Sequence, residues 1–277
     1  LIKYIIRYIE SPGKVAILSS AVFGSVSGSA VANVMSTGQL TIPLMIKCGY
    51  SRVRAASYEA VASTGGQLMP PVMGAAAFLM AELLMVSYWD VVLVSIFPAV
   101  TFYILLLLTT PKLSSIDIIP EYQGSVKKNL AESISNAMFS LIILSAAIGL
   151  IIGVMDQTGL SFQITSILNL ISGGNTFFLL TLVAILCIIL GMGMPTSSTY
   201  LLVAIVAAPT LIDAGITDIY AHLFVLYFGV LSMVTPPVAL SSFTAAKIAD
   251  ANPIKVSLMS MLLAWPLYIF PFIFVWF

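Results

Sequence analysis

The sequence predicts an all-α polytopic membrane protein built from two inverted repeats, each a re-entrant helical hairpin followed by a discontinuous transmembrane helix. Three observations carry this. Of 277 residues, 60% are hydrophobic and 8% charged, and the mean hydropathy of +1.10 lies far above that of a soluble domain. Basic residues occupy alternate loops only, the signature of a cytoplasmic side. Two Pro-Pro pairs, Pro70-Pro71 and Pro236-Pro237, interrupt apolar segments 166 residues apart, and the glycines opening two upstream breaks, Gly24 and Gly191, stand 167 apart. Ten-residue alternating strands are missing from the pattern, so the spanning elements are helices.

Residues 1–13 form an amphipathic cytoplasmic lead-in with Lys3, Arg7 and Glu10 and no signal-peptide cleavage pattern. Because the first residue is Leu1, the chain reads as the C-terminal part of a longer protein. The first repeat covers 14–87. Its hairpin, 14–47, is basic at both ends and broken by Gly and Ser at 24–29, so it enters and leaves on the cytoplasmic side. Residues 54–87 then cross outward, interrupted at 65–71. Scaffold and connector helices fill 88–157: 91–110 cross back, 111–129 form a polar cytoplasmic connector, and 130–154 cross outward. The second repeat covers 158–248. A short interfacial segment, 158–172, leads into a hairpin at 176–212 broken at 191–198, and 218–246 cross inward with a break at 232–237. Residues 249–277 hold a C-terminal transmembrane helix.

Charge placement orients these elements. Lys3, Arg7, Lys14, Lys47, Arg52, Arg54, Lys112, Lys127, Lys128, Lys247 and Lys255 all fall in loops on one side, whereas the other loops hold Asp90, Asp156, Asp213 and Asp218 without a base. The first hairpin therefore enters from the basic side and the second from the acidic side, which makes the repeats inverted and points to a secondary transporter. Cys48 and Cys187 fit neither a disulfide framework nor a metal site. With 11 basic and 11 acidic residues, no nucleic-acid partner is expected.

Helices broken inside a bilayer leave backbone groups without partners. Freed carbonyls and hydroxyls make an oxygen cage for a small hard cation, while half-helix N-termini attract an anion. The candidate cation ligands are Ser25, Ser27, Gly28 and Ser29 with Ser63, Thr64, Gly65 and Gly66 in the first repeat. In the second they are Gly191, Gly193, Met194, Thr196, Ser197 and Ser198 with Ser232 and Thr235. Neither set includes a carboxylate, so the cages are neutral and Na⁺ is the expected occupant; a proton relay calls for Asp, Glu or His within the membrane. Candidate substrate contacts are Asn33, Gln67, Pro70, Pro71, Pro236 and Pro237. With no buried Lys or Arg, anion binding is expected to lean on bound Na⁺. Glu59 is expected to pair with Arg52 or Arg54 at the interface, His222 with Asp218 at i,i+4, and Glu82 to make a scaffold or outer-vestibule contact.

The runs "GKVAILSSAVFGSVSGSAVANVMSTG", "ASTGGQLMPPVMGAAAFLMAE", "GMGMPTSSTYLLVAIVAAP" and "MVTPPVALSSFTAAKIADANP" resemble the large membrane subunit of tripartite ATP-independent periplasmic (TRAP) transporters, the DctM-like permeases. The "PTSSTYLLVA", "TPPVAL" and "AAKIADANP" forms are most similar to the branch in which small and large membrane subunits are fused. The resemblance covers essentially residues 10–277. It implies an elevator-type permease of the bacterial inner membrane that uses Na⁺ as coupling ion, needs no other cofactor and imports a small organic anion such as a carboxylate. It also implies a periplasmic substrate-binding protein as partner, and a small membrane subunit encoded upstream. The family's sodium sites map onto Ser25 to Ser29 with Thr64 to Gly66, and onto Gly191 to Ser198 with Thr235. A sodium/dicarboxylate symporter working without a binding protein shares the design, and a channel is a further alternative. An intramembrane serine protease using Ser27 and His222 fares poorly, because the glycine spacing around Ser27 is wrong for it.

Overall fold

The computed structural model describes residues 11–111 and 157–276, with isolated positions between 146 and 154. The expected segment 130–154, nearly all of the connector 111–129 and residues 1–10 of the lead-in lie outside the described residues. Among the described residues every regular element is helical.

The first hairpin is α1 (Pro12–Ser27) and α2 (Ala30–Lys47). Pro12 at the first helical position suits a helix start, since its missing N–H would be unpaired there anyway. The expected break at 24–29 is narrower than predicted. Gly24 to Ser27 stay helical, and the chain reverses on Gly28 in the left-handed region and Ser29, whose hydroxyl accepts the Ala32 N–H. Gly24, Ser25 and Ser27 do not by themselves unwind a helix whose Gly24–Ser25 face is buried.

Next, α3 (Arg52–Gly65) runs into a single 3₁₀ turn, Gly66–Leu68, and stops at Met69 before Pro70-Pro71. Its continuation is α4 (Ala75–Leu84). The Pro70-Pro71 and Pro236-Pro237 bonds are both cis. At 14 and 10 residues, neither half reaches the length of about 20 that a bilayer core requires. Behind them stands α5 (Tyr88–Leu108), opened by a Ser87/Asp90 capping box. It is long and apolar enough to cross a membrane by itself.

The second hairpin follows α6 (Leu160–Ser172), which has left-handed glycines at both ends. It comprises α7 (Thr176–Gly191), a break at 192–195, and α8 (Thr196–Val206), extended by α9 (Ala208–Asp213). Then come α10 (Asp218–Leu231), a break at 232–239, and α11 (Leu240–Ala249). The last two, α12 (Pro253–Leu263) and α13 (Trp265–Phe274), meet at 41°. The expected C-terminal transmembrane helix is therefore bent, where Pro266 removes an N–H from the helical ladder.

Packing interleaves the two halves. α3 is surrounded by α1, α2, α11 and α12, whereas α10 is surrounded by α7, α8 and α13. After each break the chain changes neighbourhood: α4 packs on α8 and α10, and α11 packs on α2 and α3. Polar contacts fix the exchange. Ser241 donates to the Ala60 carbonyl at 3.1 Å and Ser57 to the Val256 carbonyl at 3.1 Å. Arg52 reaches Asp250 Oδ2 at 2.8 Å and the Ala249 carbonyl at 3.1 Å.

Glycine permits the closest approach. A Cβ on Gly28 would lie 2.2 Å from the Cα of Gly74, a backbone atom that cannot move aside. Gly28→Ala is expected to combine an overpacking cost of about 1–3 kcal/mol with a left-handed penalty of about 1–2 kcal/mol. Gly159 has a similar φ but open space around it, so Gly159→Ala incurs only the second. Thermal unfolding of the two variants in detergent checks the difference.

Candidate functional site

The first break is held against the first hairpin. A Cβ on Gly24 would meet the Gly66 Cα at 2.8 Å, and one on Gly66 would meet the Gly24 Cα at 2.7 Å. Backbone thus touches backbone where the helix ends. In the second half Gly191 occupies the same relative place against Ser232, whose hydroxyl donates to the Gly191 carbonyl at 2.9 Å and the Gly229 carbonyl at 2.6 Å. Aromatic hydroxyls flank the break as well. Tyr103 donates at 2.6 Å to Ala62 O, which also accepts the Gly66 N–H, and Tyr88 reaches Val72 O at 2.8 Å and Pro71 O.

Both hairpin tips meet at a cavity of about 270 Å³ lined by Ser29, Ala30, Gly193, Pro195, Thr196 and Met233, among others. Ala30 and Thr196 open α2 and α8, so two helix N-termini present partial positive charge to this space. Thr196 also donates to Gln67 Oε1, tying the second hairpin tip to the first break. Gln67 is 2% exposed, and its Nε2 has no hydrogen-bond partner. Ser198 Oγ is buried and unpaired as well.

The predicted residues therefore divide. Ser29, Gly193, Met194 and Thr196 line the cavity, and Gln67 adjoins it through Thr196. Pro70, Pro71, Pro236 and Pro237 stand outside its lining. Gly65, Gly66 and Thr64 lie at the first break, with Thr64 donating to Ala60 O at 2.7 Å. Ser25 is buried and donates to Val22 O at 2.9 Å, whereas Ser27 is exposed and Gly28 half-buried. At the second break Thr235 donates to Leu231 O at 2.7 Å and pairs with the Tyr268 hydroxyl at 2.6 Å. Ser197 is half-buried in the first turn of α8.

Four of the singled-out side chains meet partners that the sequence did not announce. Asn33 is not among the residues that line the cavity: its Nδ2 donates to Ser20 O at 2.8 Å, and its Oδ1 lies 3.1 Å from Thr37 Oγ1. The Ser63 hydroxyl donates to Glu59 Oε1 at 3.2 Å. Glu59 makes no pair with Arg52 or Arg54; it is fully buried among α1, α2 and α3, and Arg52 is taken by Asp250. His222 adds a partner from α8, with Nδ1 2.7 Å from the Tyr200 hydroxyl, and stays within electrostatic reach of Asp218. Glu82 is exposed.

Sequence reasoning missed the polar cluster around Glu59. Ser20 and Thr37 donate to Oε1 at 2.7 and 2.5 Å, and Thr41 to Oε2 at 2.5 Å. The signal was present as polar residues at helical spacing, Thr37/Thr41 and Glu59/Ser63, on otherwise small or apolar faces.

Tightly packed hairpins and interrupted helices around a cavity fed by two helix N-termini are the parts of a helical membrane transport protein. Residues 7–143 and 122–277 match the family "Tripartite ATP-independent periplasmic transporter, DctM component", and the chain belongs to that family of membrane transport proteins. It is also 38% identical over 65 residues to the uncharacterized protein y4mL of Sinorhizobium fredii (strain NBRC 101917 / NGR234). That match covers 24% of this chain and spans 16% of the relative's length.

The Thr196–Gln67 link is testable. Thr196→Val and Gln67→Leu are each expected to destabilise the fold by about 1–3 kcal/mol, because each leaves a buried polar group alone. The double variant should lose less than the sum, with a coupling of about 0.5–3 kcal/mol. Denaturation of the four proteins in one detergent measures it.

Proposed function

We propose that the chain is the permease of a sodium-coupled, binding-protein-dependent importer of a small organic anion, such as a carboxylate, across the bacterial inner membrane. The observation that carries this reading is the cavity between the hairpin tips, where two helix N-termini converge on one space. A carboxylate placed there meets amide N–H groups and the hydroxyls of Ser29 and Thr196, the latter bonded to Gln67. No Lys or Arg lines the cavity, so bound Na⁺ supplies the balancing charge. The cation cages are assigned to Thr64 with the Gly65 and Gly66 carbonyls near Gly24 and Ser25, and to Thr235 with the carbonyls around Gly191 to Met194. Each stands at the C-terminal end of a half-helix, where carbonyls and the negative end of the dipole favour a cation.

The two halves work as inverted repeats, entering from opposite sides of the membrane. Their hairpins and broken helices form one body that moves in an elevator fashion past α5 and the bent α12–α13 pair. Solute arrives on a periplasmic binding protein, and the small membrane subunit precedes this segment in the same polypeptide.

Reconstituted full-length protein tests the reading. Uptake is expected to require both an inward Na⁺ gradient and the loaded binding protein, whose solute is found by a thermal-shift screen against organic acids. Equal uptake without either overturns the assignment; uptake that needs Na⁺ alone makes the protein a symporter that works without a carrier. Thr64→Val and Thr235→Val should each raise the half-saturating Na⁺ concentration about tenfold, equivalent to about 1.4 kcal/mol. Tyr268→Phe should give a smaller shift, because it leaves Thr235 in place. An unchanged sodium response in both threonine variants removes the cages.

A further inference from the structure

The Glu59 carboxyl has no role in the cages or the cavity, yet it is closely partnered. Four hydroxyls from three helices converge on it: Ser20 from α1, Thr37 and Thr41 from α2, and Ser63 from α3 itself. All five residues are fully buried or nearly so, the most exposed being Thr37 at 4%. Around them the second layer is closed too. Asn33 holds the Ser20 carbonyl, and a Cβ on Gly38 would come within 3.1 Å of the Glu59 Cγ.

What faces this group decides its chemistry. On the helices packed against α3, the charged side chains Lys14, Lys47, Lys247, Lys255 and Asp90 are exposed. On α3 itself Arg52 and Arg54 are exposed, and Tyr58 donates to the Thr109 carbonyl. Tyr88 and Tyr103 of α5 spend their hydroxyls on Val72 and Ala62. Among the described residues, then, no cation pairs with Glu59. An isolated buried carboxylate is costly, and proteins neutralise such a group rather than leave it charged.

A metal ion fits poorly as the neutralising partner. The hydroxyl oxygens lie 2.5 to 3.2 Å from the carboxyl oxygens, so they touch it directly. Ligands gathered around a hard cation each stand about 2.3–2.6 Å from the ion even for Ca²⁺, which spreads them farther apart than this. A proton needs no such room. Thr41 Oγ1 lies 2.5 Å from Glu59 Oε2 and 3.1 Å from the Thr37 carbonyl. When the carboxyl is ionised, Thr41 donates to Oε2. When Oε2 carries a proton, it donates to Thr41, whose own proton turns to the Thr37 carbonyl. Rotation of one hydroxyl satisfies both states, since each hydroxyl is both donor and acceptor.

We propose that Glu59, with Ser20, Thr37, Thr41 and Ser63, is a proton-binding site inside the membrane domain, separate from the cages at the helix breaks and loaded and emptied during transport. The last clause rests on the transporter reading, whereas the proton site does not. One proton is taken from water on one side and returned to water on the other, with no change at any other group.

Difference infrared spectroscopy on the full-length protein in phosphatidylethanolamine/phosphatidylglycerol vesicles tests the site using protons and Na⁺ alone as probes. Acidification is expected to raise a carboxylic-acid C=O band that is missing from Glu59→Gln and shifted in midpoint by Thr41→Val, a variant that keeps the carboxyl should Glu59→Gln fail to fold. The absence of any acid-dependent band attributable to Glu59 overturns the proton site. Coupling is read separately, with the solute from the binding-protein screen. An acid-outside gradient should speed uptake in the wild type but not in Glu59→Gln, while the sodium response persists in both. Wild-type uptake indifferent to the pH gradient overturns the coupling and leaves the sodium-driven importer standing.

Discussion

The rest of the structure depends on one constraint: a helix that stops inside a bilayer must give its loose carbonyls and amides to something other than water. At the first break the solution is backbone contact, with Gly24 and Gly66 so close that neither position accepts a methyl group. Tyrosines add donors, since Tyr88 and Tyr103 reach from α5 to carbonyls on either side of the break. At the second break Ser232 takes over part of this task, its hydroxyl bridging Gly191 and Gly229. Two chemistries meet the same demand at matched places in the chain, which is why the glycine pair and the glycine–serine pair are not interchangeable by sequence alone.

Because each broken helix hands its second half to the opposite hairpin, the breaks also join the two halves. α11 inserts between α2 and α3, with Ser241 on the Ala60 carbonyl. Ala60 lies one turn before Thr64, which donates to the same carbonyl. A shift of α11 is therefore felt at the first break through a single acceptor. On the other side, Thr196 and Gln67 connect the second hairpin tip to the 3₁₀ turn of the first break. Interfaces of this kind, small residues in van der Waals contact with a few hydroxyl links, are how helices associate where lipid offers no hydrophobic drive.

The helical class, the hairpins and the interrupted helices were legible because they are written in local chemistry: apolar length, loop charge, and Pro-Pro pairs that forbid a continuing ladder. The cavity was half legible. Thr196 and Ser29 sit beside breaks that prolines and glycines announce, but Asn33 looked like a ligand only because nothing in a one-dimensional string tells which way α2 faces. Glu59 was misread for a related reason. Seven residues after Arg52, it has the spacing of an interface residue, and the helices that bury it bring Ser20, Thr37 and Thr41 from segments 18 to 39 residues away. Tyr268 and Tyr200 belong to the same class of omission, since their partners Thr235 and His222 lie far off in the chain, in the second break and on α10.

The distance between the two kinds of site has a consequence of its own. Glu59 and Gly66 are seven residues apart on α3 and its 3₁₀ extension, or roughly 10 Å at about 1.5 Å per residue. An ionised carboxylate at that range attracts a monovalent cation by about 1.6 kcal/mol at an effective dielectric constant near 20. The negative end of α3 points the same way, so an ionised Glu59 and the helix terminus together favour a cation at the break. Protonation removes the larger contribution. Since coupling between two sites is reciprocal, a cation bound at Gly66 makes Glu59 a weaker base to about the same degree. A proton on Glu59 and a cation held at Gly66, two helical turns apart, would thus exclude each other by about tenfold without direct contact.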